Sequence, residues 1–158
     1  MTTIAYRNGV MAADTLMARG NERAVGAVKI FATKKFLVGI SGAFSNLEPL
    51  KAFLSEHEEE VSDPGELWRF WEDAPEYGGG YCCLIVTKDG DIWNAIDSPP
   101  VRIPAEFDAI GSGGTYAMGA MGAGATACDA VRVARQFDVN TGGSVIRLTL
   151  DDIKGDEK

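Results

Sequence analysis

A threonine stands at position 2, directly behind the initiator Met1. Removal of that methionine leaves Thr2 with a free α-amine and a β-hydroxyl on one residue. Such an amine titrates near ~7.7–8.0, so at neutral pH it can take the hydroxyl proton and turn the hydroxyl into a nucleophile. This chemistry is acyl transfer, and it needs no histidine. A Met-Thr start is common, however, and an ordinary strand start would look the same. Competing chemistries are poorly supplied. The one histidine, His57, lies in Glu56-His57-Glu58-Glu59-Glu60 near an expected helix end, where it reads as part of a solvated charged face rather than a general base or ligand. HExxH, CxxC pairs and EF-hand loops are absent, which argues against a metal enzyme. Gly111-Ser112-Gly113-Gly114 has the position of a phosphate cradle but lacks a following Gly-Lys-Ser/Thr, and Tyr116 occupies the place of the third glycine of a dinucleotide motif. Nothing in the sequence points to a cofactor.

The elements that would carry Thr2 follow from turn and cap signals. Asn8-Gly9 between two strand-forming runs predicts an opening hairpin over 3–14. A polar stretch, 18–26, leads to expected strands at 27–32 and 36–41, giving four antiparallel strands in succession. Ser45-Asn46-Leu47-Glu48 fits a capping box for a helix running to about Glu60. Asp63-Pro64-Gly65-Glu66 repeats the signature and predicts a second helix bearing Leu67, Trp68, Phe70 and Trp71. Gly78-Gly79-Gly80 breaks the pattern. Strands are expected at 81–87 and 91–95 around Lys88-Asp89-Gly90, then an irregular proline-marked crossing through Pro99, Pro100 and Pro104. A short strand at 107–110 enters the glycine turn. Helices at 115–122 and 127–137 follow, the latter capped by Thr126, and a last strand at 144–150 precedes a charged tail. Strand groups joined by hairpins and each followed by helices indicate an α+β chain with antiparallel sheets covered by helices.

At 158 residues the chain suits one domain, residues 1–150, with a tail at 151–158. Its hydrophobic content of 46% and charged content of 24% are those of a globular protein. The net charge of -8 disfavours a sequence-independent nucleic-acid binder, since phosphates are met by basic faces. No apolar run is long enough to span a bilayer, and the start lacks a secretory signal, so a cytoplasmic protein without membrane contact is expected. Cys82, Cys83 and Cys128 form no CxxC pair and read as reduced core residues.

The ordered set of segments resembles the proteasome β-subunit superfamily, including its bacterial HslV-type members. Thr2-Thr3-Ile4-Ala5 with Gly9 through Thr15 is similar to that family's opening hairpin and its aspartate. Val28-Lys29-Ile30 resembles the strand bearing its lysine, and Gly39-Ile40-Ser41-Gly42-Ala43 the turn that supplies an oxyanion donor. Ile110 through Gly114 with Tyr116-Ala117 resembles its serine loop, and Asp138-Val139-Asn140-Thr141-Gly142-Gly143 its Asp-x-x-Ser-Gly-Gly segment, with threonine replacing serine. The resemblance implies a four-layer αββα sandwich of two antiparallel sheets between helix pairs. It makes Thr2 the nucleophile, Lys29 the cation beside it and Asp14 the carboxylate that holds Lys29. Ser112, Asp138 and Thr141 would surround the α-amine, with the oxyanion donor at Gly42 or Ala43. Lys34 and Lys35, in an expected turn, are the competing lysines.

Also implied are a threonine endopeptidase acting on protein or peptide, assembly into homo-oligomeric rings or stacked rings and, by analogy, an ATPase unfoldase partner. Trp68, Phe70 and Trp71 could contribute to ring contacts or to the core. Two other readings stay open: a non-catalytic ring subunit, and an amidase of the same chemistry acting on a small substrate.

Overall fold

A computed structural model describes residues 2–75, 80–96 and 98–155. The opening hairpin pairs β1 (Ile4–Arg7) with β2 (Val10–Asp14). Its turn forms because Asn8 and Gly9 both take positive φ, 49° and 79°. The segment expected to be only a polar stretch is a second hairpin, β3 (Leu16–Arg19) with β4 (Glu22–Val25), a separate two-stranded unit whose second strand is exposed throughout. Its exposed faces removed the alternation of apolar residues by which a strand is recognised.

Next come β5 (Ile30–Ala32), β6 (Phe36–Gly42) and α1 (Leu47–His57). The expected Ser45 capping box does not form: a 3-10 turn over Phe44–Asn46 feeds directly into α1, and neither start has a side-chain cap. The expected helix with three aromatics is instead two 3-10 segments, Pro64–Arg69 and Trp71–Asp73. Asp63 does accept from the Glu66 N–H there, but the backbone closes i→i+3 bonds, Phe70 N–H to the Leu67 carbonyl at 3.0 Å and Asp73 N–H to the Phe70 carbonyl at 2.9 Å.

The chain continues through β7 (Tyr81–Thr87), β8 (Ile92–Ile96) and β9 (Val101–Ile103), the last lying inside the expected irregular crossing. β9 is a three-residue edge strand beside Pro99 and Pro100, where prolines cost no ladder bonds. Then follow β10 (Phe107–Ile110), α2 (Gly114–Gly122), α3 (Ala127–Phe137) with Thr126 as its cap, and β11 (Val145–Thr149). Gly78, Gly79 and residues 156–158 of the expected tail lie outside the described residues. Ile153 is buried in the core.

Two antiparallel sheets result, ordered β10-β1-β2-β11 and β5-β6-β7-β8-β9. The four strands expected to follow one another in a single sheet are thus divided between two, because the β3–β4 hairpin carries the chain from one sheet to the other. Alternation along each strand sorts side chains into three cores. Ile4, Met11, Leu37, Leu84 and Val86 meet between the sheets. Ala5 and Ala12 face Ala117, Met121, Ala130 and Val131 of α2 and α3. Val38, Ile40 and Ile85 face Leu50, Phe53 and Leu54 of α1, with Leu67 of the first 3-10 segment. The architecture is the α+β, four-layer αββα sandwich. On the α1 side, one helix and 3-10 turns replace the expected helix pair.

Truncating Leu84, fully buried between the sheets, to Ala should lower unfolding free energy by about 2–5 kcal/mol. Val28→Ala, at a position 60% exposed, should change it by less than about 0.5 kcal/mol. Urea unfolding of the two variants checks the difference.

Candidate functional site

The register of the first sheet builds a site at the start of its central strand. Ile4 pairs with Ala13 on one side and with Ile110 on the other. One residue upstream, Thr3 therefore faces Asp14, whose N–H donates to the Thr3 carbonyl at 3.2 Å. Thr2 abuts the turn after β10, and the Gly113 N–H donates to its carbonyl at 3.3 Å. That turn closes over Thr2 only because Gly111 has no side chain: its φ is +95°, and a Cβ there would lie 2.0 Å from the Thr2 carbonyl oxygen.

Thr2, Thr3, Asp14 and Lys29 are all nearly inaccessible, with Lys29 only 1% exposed. Burial of an ammonium and a carboxylate is tolerable only when their polar atoms are satisfied. Here they are. Lys29 Nζ donates to Asp14 Oδ1 at 2.8 Å and to Thr2 Oγ1 at 2.5 Å. The Thr2 hydroxyl donates in turn to Asp14 Oδ1. Asp14 also accepts backbone N–H groups from Thr3 (3.0 Å), Gly142 (3.0 Å) and Leu16 (3.3 Å). Burial pushes the Lys29 pKa below its ordinary value, and the bond to Asp14 and the charges of Asp14 and Asp138 oppose that fall only in part. Lys29 immediately precedes β5, one residue short of the strand expected to contain it, and its carbonyl accepts from the Ile40 N–H at 3.0 Å.

A second cluster adjoins the first. Ser112 Oγ and Thr141 Oγ1 each donate to Asp138 Oδ2 at 2.6 Å, and the Asn140 N–H donates to Oδ1 at 3.2 Å. Burial alone would raise the Asp138 pKa, but these three hydrogen bonds outweigh it and hold the carboxyl below its ordinary value. Asp138 ends α3, Ser112 lies in the turn that starts α2, and residues 138–144 lead into β11 beside Asp14. The clusters are joined at Thr3, whose Oγ1 is 2.7 Å from Thr141 Oγ1, and at Gly142 through its bond to Asp14.

Gly42 and Ala43 border a small, partly open cavity of about 10 Å³ together with Thr2, Lys29, Phe44 and Leu47. The Ala43 N–H is directed at the Gly80 carbonyl, 3.5 Å away. An open groove of about 570 Å³ runs from Gly42 past Ser112 to Met118.

The structure thus brings together Thr2, Asp14, Lys29, Ser112, Asp138 and Thr141, with Gly42 and Ala43 at the edge. Lys34 and Lys35 are elsewhere: Lys35 Nζ donates to the Val61 carbonyl, and Lys34 pairs loosely with Glu59. His57 is not on a solvated face; its ring stacks on Phe70 at 4.3 Å within the outer helical layer, because the 3-10 turns fold back over α1. Among the described residues no cluster of three or more His, Cys, Asp or Glu is placed to hold a metal ion, and no helix is long and apolar enough to cross a membrane. Sequence reasoning missed two participants, Thr3 and the Gly142 N–H. Strand alternation was the available signal for Thr3, since it sends neighbouring side chains to opposite faces.

No protein-family model matches the chain, and no curated protein does. Solved structures do resemble it. Thiobacillus denitrificans BPH aligns with a TM-score of 0.68 at 22% identity, covering 94% of this chain and 97% of that one. BPH in complex with epoxomicin gives 0.67 at 21%, covering 94% and 98%. HslV from Trypanosoma brucei gives 0.69 at 18%, covering 93% and 97%. The fold is therefore the proteasome- and HslV-like one.

Two outcomes test the electrostatics. Asp14→Ala leaves Lys29 buried without its carboxylate and should cost on the order of 3–5 kcal/mol in chemical denaturation. Asp14 opposes the burial-driven fall of the Lys29 pKa, so in Asp14→Ala the folded pKa lies lower still, and the deficit should shrink as pH rises from the variant's folded pKa to the wild type's, where only the variant's folded state has shed the proton. The folded Asp138 pKa lies below its unfolded value of 3.8. Its stabilising contribution is complete above 3.8 and vanishes as pH falls through the lower value, so wild type should exceed Asp138→Asn in stability at neutral pH and converge with it in acid.

Proposed function

We propose that this chain is a threonine-type peptidase in which Thr2, freed of Met1, is the nucleophile. The observation that carries the reading is the Thr2 hydroxyl held between the buried Lys29 ammonium and the Asp14 carboxylate, with Lys29 Nζ at 2.5 Å. Met1 itself lies outside the described residues. Support also comes from the fold shared with HslV and with a protein solved in complex with epoxomicin.

In this mechanism the Thr2 hydroxyl turns its proton from Asp14 to the Thr2 α-amine, which takes it as general base while Oγ1 attacks the substrate carbonyl. Lys29 stabilises the developing alkoxide by charge, and Asp14 fixes Lys29 in place. The tetrahedral oxyanion is met by the backbone N–H of Gly42, since that of Ala43 is turned toward Gly80; such a donor is typically worth about 2.7–4 kcal/mol. The α-ammonium then protonates the leaving nitrogen, the C–N bond breaks, and Thr2 is left as an ester. Water, activated by the same amine, hydrolyses the ester and restores Thr2. Ser112, Asp138 and Thr141 surround the amine and relay its protons. An extended peptide would approach along the groove between Gly42 and Ser112, in a ring-shaped homo-oligomer that admits unfolded chains. An ATPase unfoldase would supply those chains.

Intact mass of the purified protein should lack Met1, and epoxomicin should modify Thr2. Thr2→Ala and Lys29→Ala should abolish turnover and labelling by at least about 10³-fold, whereas Lys35→Ala should retain both. Retained Met1 in active protein, or undiminished turnover by Thr2→Ala, would falsify the assignment.

A further inference from the structure

From the Thr2 carbonyl onward the chain is tied into the fold. That carbonyl accepts from the Gly113 N–H at 3.3 Å, and the Thr3 carbonyl accepts from the Asp14 N–H at 3.2 Å. The Thr3 N–H donates to Asp14 Oδ1 at 3.0 Å, and Ile4 opens β1 with β2 paired on one side and β10 on the other. The side chains are held as well. Thr2 Oγ1 is bonded to Lys29 and Asp14, and Thr3 Oγ1 lies 2.7 Å from Thr141 Oγ1. Thr2 is 1% exposed, while Thr3 and Ile4 are wholly buried. No slack remains above them, since a Cβ at Gly113 would lie 1.9 Å from Thr3 Oγ1.

An aminopeptidase cannot act on residues held in this way. It must close on an extended N-terminus, bring its attacking water to the Met1 carbonyl and deliver a proton to the Thr2 nitrogen. Both steps require the segment to be drawn away from Gly113, Asp14 and Lys29. β1 is an inner strand of its sheet, and core strands open only at free energies approaching that of global unfolding.

We propose that Met1 is removed only before β1 docks between β2 and β10, by a methionine-specific aminopeptidase acting on the emerging or unfolded chain, and that a chain which folds first keeps Met1. In that step the oxygen of water joins the Met1 carbonyl carbon, the C–N bond breaks and free methionine departs. The Thr2 nitrogen takes the proton and becomes the α-amine. Excision and folding therefore compete. The functional consequence, which rests on the peptidase reading above, is that each site is committed once, at synthesis, to be active or blocked.

The test sorts chains by age. Cells express the protein in heavy-isotope medium with their methionine aminopeptidase reversibly inhibited, and are then washed free of inhibitor and shifted to light medium. Intact mass of the purified protein should show light chains beginning at Thr2 and heavy chains that keep Met1. Heavy chains that lose Met1 as completely as light ones overturn the proposal, and so do light chains that keep it. In vitro, purified methionine aminopeptidase should trim the folded Met1-bearing protein at least about tenfold more slowly than a synthetic peptide of residues 1–8. Equal rates, or loss of Met1 from the folded protein incubated alone, overturn it too. The readout is mass and not turnover. Protein trimmed in this order yet inert toward peptide and epoxomicin overturns the peptidase reading and supports this one; active protein whose folded Met1 form is readily trimmed overturns this one alone.

Discussion

The buried pair of Asp14 and Lys29 is the constraint around which one end of this sandwich is arranged. An unpaired ammonium at that depth would cost several kcal/mol, and so would an unpaired carboxylate. Each element that reaches the site contributes something to their satisfaction. β2 ends in Asp14, Lys29 enters just before β5, and Thr2 lies between them. The Thr3, Leu16 and Gly142 N–H groups fill the remaining acceptor positions of Asp14. The loop between α3 and β11 is thus tied to the first hairpin by electrostatics as much as by packing. Since burial disfavours the charged lysine, the site holds an ammonium whose proton is less tightly bound than a surface lysine's.

Much of this was legible in the sequence, for identifiable reasons. Asn8-Gly9 encodes its turn through backbone conformation alone, and Thr126 its helix cap through one local hydrogen bond. Such signals survive without knowledge of the fold. α3 reads cleanly because its buried face is Ala127, Ala130, Val131 and Ala134 at helical spacing. What failed was decided at long range. Whether 64–73 is an α-helix or 3-10 turns depends on packing over α1, where Phe70 covers His57. Whether 16–25 pairs as a hairpin cannot be read from alternation when its second strand is exposed on both faces.

The candidate site shows the same division. Placing Lys29 rather than Lys34 or Lys35 beside Thr2 came from resemblance to a known pattern. The expected turn at Lys34 and Lys35 and the expected strand around Lys29 separate them by exposure, but put none of the three beside Thr2. The structure separates them by depth, since Lys29 is buried while the Lys35 ammonium reaches the Val61 carbonyl. Thr3 was overlooked because it neighbours a more conspicuous residue of the same type. Its distinct surroundings exist only once β1 is flanked by strands on both sides.

That double flanking makes the start of the chain a fixed-phase device. β1 is hydrogen-bonded to β2 and β10 at once, so neither neighbour can slide to accommodate a change in length. Inserting or deleting one residue between Thr2 and Ile4 would exchange the inward and outward faces at a stroke. A substitution at Thr3 leaves the strand register in place; a length change of one residue does not.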